Sequence, residues 1–403
     1  MPHRKRQVAI ILRLHQNYDR GVLHGIAAYG HEHKNWSIYV EEDASQRIPD
    51  LRNWKGDGLI VNLDDKKAAK ATVGLAKPIV GIGGGEGWHD KSNVIPYVAT
   101  DDERIGQLAA EHFMARGLTQ FAFCGYPSDP KNIWGPNRAN AFAARLAQEG
   151  FECNVYRGRY VSAQRWDRMQ ERLVAWLQTL PTPIGVLASF DSRARHVLEA
   201  CQTLGLRVPD DVAVLGVDNN ELTCELSEPP LSSIEQGCFR IGYTAARLLD
   251  QLMQGKQPDQ LVYHVEPIGV VSRQSTNLLN VEDRMVAQAL RLIRDEACQG
   301  MHADLVSREV QLSRSTLDKR FKNAIGRTVD QEVRRVRLTR AKELLSRTEL
   351  PMREVARQAG YGNEQYLARV IRDATHTTPA AYRRDHRAAR TGAGLSLPEQ
   401  ARE

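Results

Sequence analysis

Short apolar runs alternate with amphipathic segments from residue 7 to residue 276, and this alternation constrains the fold more than any other feature of the 403-residue chain. Each run has the length of a buried strand, whereas Ile105, Ala109 and Phe113 recur at the spacing of a helix face. Alternating strands and helices predict parallel sheets covered by helices on both faces, and two such series predict two α/β lobes. The predicted strands are residues 7–14, 36–42, 58–63, 78–83, 120–126, 152–157, 185–190 and 212–217.

Polar residues follow several of these strands. Ligands of open α/β sheets bind beyond the carboxyl ends of the strands, so these positions predict a polar cleft. Carboxylates and amides accept hydrogen bonds from sugar hydroxyls, whereas a phosphate favours Lys, Arg and glycine amides. Each acid can instead cap the helix that follows it, and that alternative stays open here. The residues concerned are Glu41, Glu42, Asp43, Asp64, Asp65, Asp191, Asp218 and Asn219, with the glycines at 83–85.

Two further side chains favour a sugar as the ligand. Trp134 precedes a predicted helix at residues 137–148, and Arg138 stands at its start. An aromatic face and a planar fork of hydrogen-bond donors suit a polyhydroxylated ring. Together with the strand-end acids they predict a sugar-binding cleft.

The stretch VAVLGVDNNELTCELSEPPLSSIEQ at residues 212–236, followed after a helix by VVSRQST at 270–276, resembles the sensor domain of the LacI/GalR family. The resemblance extends over residues 7–276 and implies a two-lobed fold related to periplasmic sugar-binding proteins. In that family two acids and an arginine hold the sugar hydroxyls, and they match Asp218, Asp191 and Arg138. The family's usual N-terminal DNA-binding helices have no counterpart here, because the first strand already begins near residue 7. Another segment is therefore expected to bind DNA.

Positive charge is concentrated towards the C-terminus. Residues 282–390 contain 23 Lys and Arg against 15 Asp and Glu, whereas residues 1–281 contain 31 against 32. A basic domain attached to a neutral body favours a polyanionic partner, although a solvated charged surface has the same composition.

The basic region also contains an internal repeat, with a period of about 50 residues. Residues 306–328 and 355–378 each predict a helix, a turn and a second helix. A helix in the major groove presents polar side chains to base edges, so the repeat predicts two DNA-reading units; a plain helical bundle is the alternative. The candidate base readers are Arg314, Ser315, Asp318 and Lys319 in the first unit, and Asn363, Glu364, Gln365 and Arg369 in the second.

This region resembles the AraC/XylS family of DNA-binding domains through RVRLTRAKELL at 335–345, VARQAGY at 355–361 and TTPAAYRR at 377–384. The resemblance implies double-stranded operator DNA as a partner and the same base readers, apart from Arg314. Gln311 and His376 stand where the family usually has glycine. Asp318 would repel phosphates unless it accepts a hydrogen bond from a cytosine amine.

A LacI-like sensor joined to an AraC-like domain resembles the bacterial regulators of xylose operons, as do NYDR at 17–20 and DSRARH at 191–196. That resemblance implies D-xylose as the effector, activation of xylose uptake and catabolism genes, contact with RNA polymerase and a homodimer. Asp19 and Glu41 join Trp134, Arg138, Asp191 and Asp218 as candidate sugar-binding residues. Another pentose or a hexose is the alternative effector.

Other classes of function find little support in the sequence. The glycine-rich stretch at residues 81–87 does not match a nucleotide-binding motif, and no hydrolase or zinc motif occurs, so no cofactor, metal or catalytic residue is expected. The six cysteines lack paired spacing and are expected to be reduced. With no signal peptide or membrane span, the chain is expected in the cytoplasm. A sugar-metabolising enzyme and a plain sugar-binding protein remain the alternatives.

The sequence thus predicts a two-lobed α/β sensor of the periplasmic-binding-protein type at residues 1–276 and a linker at 277–283. An all-α domain with two helix-turn-helix units is predicted at 284–387, followed by a disordered tail at 388–403.

Overall fold

The computed structural model describes residues 4–41, 48, 50–83, 95–126, 134–158, 166–278, 283–348 and 350–390. The chain forms two compact units, Met1–Leu278 and Leu279–Glu403. The first unit contains two six-stranded sheets with helices, and the described elements of the second unit are helices. The predicted fold class is confirmed.

Strands and helices of the first unit alternate along most of its length. The strands are β1 (Arg6–Ile11), β2 (Trp36–Glu41), β3 (Gly58–Asn62), β4 (Ile79–Ile82), β5 (Tyr97–Thr100), β6 (Phe121–Cys124), β7 (Cys153–Tyr156), β8 (Ile184–Ala188), β9 (Val212–Val217), β10 (Ser232–Glu235), β11 (Val262–Val265) and β12 (Gly269–Val271). The helices are α1 (Asn17–His33), α2 (Lys66–Ala71), α3 (Asp102–Met114), α4 (Trp134–Gln148), α5 (Trp166–Leu177), α6 (Asp191–Thr203), α7 (Glu221–Leu226) and α8 (Cys238–Met253). A short 3₁₀ helix spans Gln274–Thr276.

The first lobe is a parallel sheet with strand order β11-β5-β4-β3-β1-β2. Helices α1 and α8 bury Ile26 and Ala245 against one face, and α2 buries Ala68 against the other. Glycine permits the close approach of α1 and α8, because a Cβ on Gly242 would overlap the carbonyl oxygen of Val22.

The second lobe has strand order β12-β10-β9-β8-β6-β7 and is parallel except for β12, which runs antiparallel to β10. Helices α3 and α4 bury Phe113 and Phe142 against one face. Helices α5 and α6 bury Leu173 and Val197 against the other. Both faces are therefore covered, as the apolar strands predict.

Three described segments connect the lobes, between β5 and α3, between β10 and α8, and between β11 and β12. They are hydrogen-bonded to one another, since the amide of Asp101 donates to the carbonyl of Val265 and that of Ile268 donates to the carbonyl of Glu235. The lobes therefore share one hinge, and the carboxyl ends of both sheets face the space beside it.

The second unit contains two helix-turn-helix pairs around separate cores. Its helices are α9 (Arg284–Glu296), α10 (Ala303–Glu309), α11 (Arg314–Ile325), α12 (Val329–Arg347), α13 (Met352–Gln358), α14 (Glu364–Thr375) and α15 (Pro379–Arg390). Leu317 and Phe321 of α11 lie in the first core, and Leu367 and Ile371 of α14 lie in the second. Helix α12 contributes to both cores and so fixes the two pairs relative to each other.

The predicted elements occur, with shifted ends and several omissions. Helix α4 begins at Trp134, three residues earlier than predicted, so Trp134 lies within the helix rather than ahead of it. The reason is that Pro136 falls in the first turn, where a missing N–H costs nothing. The sequence pattern did not predict strands β5, β10, β11 and β12, because they are short. Strand β10, with the sequence SSIE, also lacks an apolar run. All six cysteines are free, as expected. The predicted tail lies outside the described residues from residue 391 onward.

Two of the turns hold side chains in the left-handed region of φ. Gln311, between α10 and α11, has φ 55°, and His376, after α14, has φ 57°. Gly360, between α13 and α14, occupies the turn of the second helix-turn-helix pair that corresponds to Gln311, and its φ is 75°. A non-glycine residue in this region costs about 1–2 kcal/mol. The two departures from the family's glycine pattern therefore coincide with backbone strain.

Replacing Gln311 with glycine is expected to stabilise the second unit by about 0.5–1 kcal/mol, because relief of strain outweighs the greater entropy of an unfolded glycine. Urea unfolding of the full chain measures this change. Gly360→Ala is the matched reverse substitution and should destabilise, because its Cβ would also lie 2.8 Å from the Cα of Cys298. A loss of stability in Gln311→Gly would contradict the strain argument.

Candidate ligand cleft and DNA-binding surface

A cleft of about 820 Å³ lies between the lobes of the first unit. Residues one or two positions after strands contribute to its wall, such as Arg13 after β1, Asp64 after β3 and Asp218 after β9. This is the edge at which open α/β sheets bind ligands. Other lining residues include Asn62, Gly83, Thr100, Asp102, Tyr126, Trp134, Arg138, Ser189, Phe190, Asn220 and Gln236.

Arg138 projects from α4 and is 5% exposed. Its Nε donates to Oδ1 of Asp102 over 2.8 Å, and one Nη donates to the carbonyl oxygen of Ser189 over 2.8 Å. The indole ring of Trp134 lies 4.9 Å from the guanidinium carbon. Burial raises the pKa of Asp102, while the charge of Arg138 opposes that rise. The guanidinium is therefore held in place before any ligand arrives.

Asp218 follows β9 and reaches the cleft from a strained turn. Its φ is 108°, and that of Asn219 is 47°. Such conformations cost about 1–3 kcal/mol each and cluster at binding sites. Burial raises the pKa of Asp218, and Arg138 and a hydrogen bond from Gln236 oppose the rise. The backbone thus aims this carboxylate into the cleft.

Gln236 was not anticipated from the sequence. Its Oε1 accepts a hydrogen bond from Oγ1 of Thr100 over 2.6 Å, and its Nε2 donates to Oδ1 of Asp218. It also lies 3.4 Å from an Nη of Arg138. Gln236 therefore links Thr100, at the end of β5, to Asp218 and Arg138 in the cleft. It follows a strand as the predicted residues do, but β10 was not predicted.

Asp191 is the first residue of α6, is 2% exposed and is not among the residues that line the cleft. Its carboxylate accepts a hydrogen bond from Oγ of Ser233 over 2.5 Å and another from the amide of Asn220 over 2.6 Å. Burial and the negative charge of Asp218 raise the pKa of Asp191. These contacts fix the backbone that immediately follows Asp218.

Asp19 is fully buried in α1, beneath the wall of the first lobe. Its carboxylate accepts hydrogen bonds from the amide of Arg13 over 2.6 Å and from Nδ2 of Asn62 over 2.7 Å. Arg13 and Asn62 both line the cleft, whereas Asp19 does not. Burial raises the pKa of Asp19, and the amide of Arg13 opposes the rise. Asp19 thus positions two lining residues.

The remaining strand-end candidates have other places. Glu41 accepts a hydrogen bond from the hydroxyl of Tyr39 over 2.9 Å and is not among the lining residues. Asp65 caps α2 by accepting from the amides of Lys67 and Ala68, which is the alternative weighed above. Glu42, Asp43, Gly84 and Gly85 lie outside the described residues.

Aromatic rings form one side of the cleft. The ring of Phe190 lies 5.9 Å from that of Trp134 and 5.7 Å from that of Tyr126, centroid to centroid. All three residues line the cleft. Apolar faces beside fixed hydrogen-bonding groups match the two kinds of surface on a sugar ring.

The second helix of each pair in the second unit carries exposed polar side chains. Glu364, Gln365 and Arg369 of α14 are exposed, and the ring of Tyr366 lies 5.3 Å from the guanidinium carbon of Arg369. Asn363 is exposed and caps α14 by accepting a hydrogen bond from the amide of Tyr366 over 2.7 Å. This face has the residue types that read base edges.

Helix α11 differs from α14 in how its charged groups are engaged. Ser315 and Lys319 are exposed, whereas Arg314 donates to Asp304 over 2.9 Å, Asp318 over 3.0 Å and Asp330 over 2.6 Å. Asp318 also accepts a hydrogen bond from the amide of Val329 over 3.0 Å. These contacts connect α11 to its neighbours, so a base contact by Arg314 or Asp318 would require them to rearrange.

A two-lobed cleft with fixed carboxylates, an arginine and aromatic rings, in one chain with two helix-turn-helix pairs, defines a ligand-responsive transcription regulator. Family models match as the XylR N-terminal domain at residues 7–103, a periplasmic binding protein-like domain at 110–276 and a helix-turn-helix domain at 306–385. The chain belongs to the family of xylose operon regulatory proteins, as the following relatives establish.

The xylose operon regulatory protein of Escherichia coli K12 is 36% identical over 381 residues, covering 94% of this chain and 97% of its own. That of Haemophilus influenzae is 34% identical over 378 residues, covering 94% and 98%. A solved structure titled as the xylose-binding transcription activator xylR matches with a TM-score of 0.77 at 36% identity, covering 96% of this chain and 99% of that one. The regulator CelR with cellobiose, at 21% identity and TM-score 0.55, shares the sensor fold.

Among the described residues, no helix has the length and apolar character needed to cross a membrane. No group of His, Cys, Asp and Glu residues in that part of the chain is arranged to hold a metal ion.

Proposed function

We propose that this protein is a D-xylose-responsive activator of transcription, which binds the sugar in the cleft and operator DNA through the second unit. The observation that carries the proposal is the convergence of Asp218, Arg138 and Gln236 at the hinge beside an aromatic wall. Family membership supports D-xylose as the sugar.

In this proposal Asp218 and Gln236 accept hydrogen bonds from sugar hydroxyls, and Arg138 donates to hydroxyl oxygens. Trp134 and Phe190 pack on the apolar face of the ring. Asp191 and Asp19 do not touch the sugar in this proposal. Asp191 holds the backbone after Asp218, and Asp19 holds the amide of Arg13 and the side chain of Asn62. No role in binding is assigned to Glu41.

Sugar binding is proposed to close the lobes about the hinge. A ligand shifts such an equilibrium only by the difference between its affinities for the open and closed states. Groups at the hinge suit this purpose, because Gln236 touches both the cleft and the segment at Thr100. Closure would then change how two copies of the chain present their DNA-binding units, and we propose a homodimer that contacts RNA polymerase in the cytoplasm.

For DNA recognition we propose that Asn363, Glu364, Gln365 and Arg369 of the second pair and Ser315 and Lys319 of the first meet the major groove. Arg314 is proposed to place α11 through its ion pairs with Asp304 and Asp330, and Asp318 by accepting from the amide of Val329, before any base contact. The net positive charge of this region supports a phosphate backbone as the partner.

Arg369→Ala is expected to weaken binding to the preferred DNA sequence by about 1–3 kcal/mol and to relax selectivity at one base pair. The preferred sequence can be obtained by selection from random duplexes, and affinity measured by fluorescence anisotropy at fixed salt. Arg195→Ala, an exposed arginine of the first unit, is the control. Equal loss of affinity for every sequence would instead make Arg369 a phosphate contact.

Calorimetric titration with D-xylose tests the effector, with L-arabinose, D-ribose and D-glucose as comparisons. Saturable binding of D-xylose alone is expected. Binding of another sugar alone would keep the sensor and change the effector, and no binding of any would overturn the sugar proposal. Incubation with D-xylose followed by NMR tests the enzyme alternative, and unchanged sugar is expected.

A further inference from the structure

The sensor ends in a segment that returns to the second lobe, beside β10, before the chain continues to the second unit. Strand β12 pairs with β10, and the 3₁₀ helix Gln274–Thr276 follows it. Ser275 and Thr276 are fully buried. Through these two residues this exit segment, residues 272–278, is packed against the second lobe.

Arg273 of the exit segment contacts the residue next to the cleft carboxylate. One Nη donates to the carbonyl oxygen of Leu231 over 2.9 Å, and the other donates to Oδ1 of Asn219 over 2.8 Å. Asn219 directly follows Asp218 and shares its strained turn, with φ 47°. A planar guanidinium holds two acceptors in a fixed geometry, so Arg273 ties the turn to the end of the sensor.

The cleft side of the same turn is also hydrogen-bonded. The amide of Asn219 donates to Oγ of Ser233 over 2.9 Å, and that hydroxyl donates to Asp191 over 2.5 Å. A ligand that displaces Asp218 therefore also acts on Asn219, which is hydrogen-bonded to Ser233 on one side and to Arg273 on the other.

On the exit side the contacts continue to the end of the segment. The amide of Arg273 donates to Oγ of Ser232 over 2.7 Å, and Oγ1 of Thr276 lies 2.8 Å from that oxygen. Nε of Arg116 donates to the carbonyl oxygen of Thr276 over 2.8 Å, and Nε2 of His112 lies 2.9 Å from Thr276 Oγ1. The network thus runs unbroken from Asn219 to the last residues of the sensor.

We propose that Arg273 is a positioning residue that transmits the state of the turn at Asp218 and Asn219 to the exit segment. The left-handed turn at Asp218 and Asn219 lies between the cleft and the exit segment, so its conformation depends on both. Coupling between two sites requires such a shared element. Arg273 does not line the cleft, so it acts without touching the ligand. The inference deepens the proposed function and rests on it for the identity of the ligand.

The first test needs no sugar. Hydrogen exchange of full-length Arg273→Met is expected to speed up by roughly tenfold at both ends of the network, at the amides of Asn220 and Ser275, since a charge-assisted hydrogen bond is lost. Asn219→Gly should have the same effect while tolerating the positive φ. Arg116→Met is the matched control, and should speed exchange near Thr276 but not at Asn220. Faster exchange at one end only in Arg273→Met would overturn the inference.

The second test adds D-xylose. Wild-type protein should bind it and gain protection at Ser275, whereas Arg273→Met should bind it within about threefold of wild type and gain none. Arg273→Lys cannot bridge both acceptors and should lose most of the gain. A gain in Arg273→Met equal to that of wild type would overturn the inference. If wild-type protein does not bind D-xylose, the proposed effector fails, and the sugar-free test still decides the role of Arg273.

Discussion

Asp218→Ala is expected to reduce D-xylose affinity at least about 10-fold, because a hydrogen bond to a charged group contributes about 1.5–3 kcal/mol. The backbone aims this carboxylate into the cleft, and its removal leaves the sugar hydroxyls that it would bind without an acceptor. Calorimetric titration measures the loss. DNA binding in the absence of sugar should be unchanged.

Two variants separate loss of binding from loss of fold in this experiment. Asp218→Asn keeps the shape, tolerates positive φ and should recover part of the affinity. Asp259→Ala removes an exposed acid of the same unit and should bind as wild type. Wild-type affinity of Asp218→Ala for D-xylose would show that Asp218 does not bind the sugar.

Arg138→Met is expected to destabilise the first unit by about 3–5 kcal/mol, because it leaves the buried Asp102 carboxylate unpaired. Urea unfolding followed by tryptophan fluorescence gives the change. The double variant Arg138→Met/Asp102→Asn should recover much of the loss, since it removes the stranded charge. A double variant as unstable as the single one would show that packing, rather than charge, sets the cost.

The stability of Arg138→Met should also depend on pH. Burial already raises the pKa of Asp102, and the variant lacks the cation that opposes the rise. Above the unfolded pKa of about 4, the folded carboxyl binds a proton that the unfolded chain has lost. Stability of the variant should therefore fall as pH rises from 5 to 8, and the difference from wild type should shrink on acidification.

The cleft was largely predictable because strand ends are local features. Asp64 and Asp218 follow apolar strands that the sequence makes plain, and the edge rule brings such positions together. Gln236 was missed because Ser232–Glu235 is short and polar, so its strand depends on pairing with β9 and β12. The sequence also did not show which acids line the cleft and which support it. Asp218 and Asp191 both follow apolar strands, and no local feature distinguishes the first, which lines the cleft, from the second, which does not.

In the second unit, repetition made the helix pairs predictable, and Ser313 and Asn363 cap the second helix of each pair. The engagement of Arg314 by Asp304 and Asp330 was not, because both acids come from other helices. Pattern analysis identifies which residues share a face, whereas the partners of a charged group depend on how helices pack.

The three connections between the lobes also fix the order in which the lobes can be completed during synthesis. The first lobe needs α8 for its core and β11 for its sheet edge, and β11 ends at Val265. The second lobe has its central strands and covering helices between Asp102 and Glu235. The apolar strands of the first lobe are synthesised first, but the helix and strand that complete that lobe follow most of the second lobe. These apolar strands therefore stay exposed on the nascent chain until most of the second lobe has been synthesised. The N-terminal sheet is completed only when α8 and β11 have been synthesised, and the nascent chain must avoid aggregation until then.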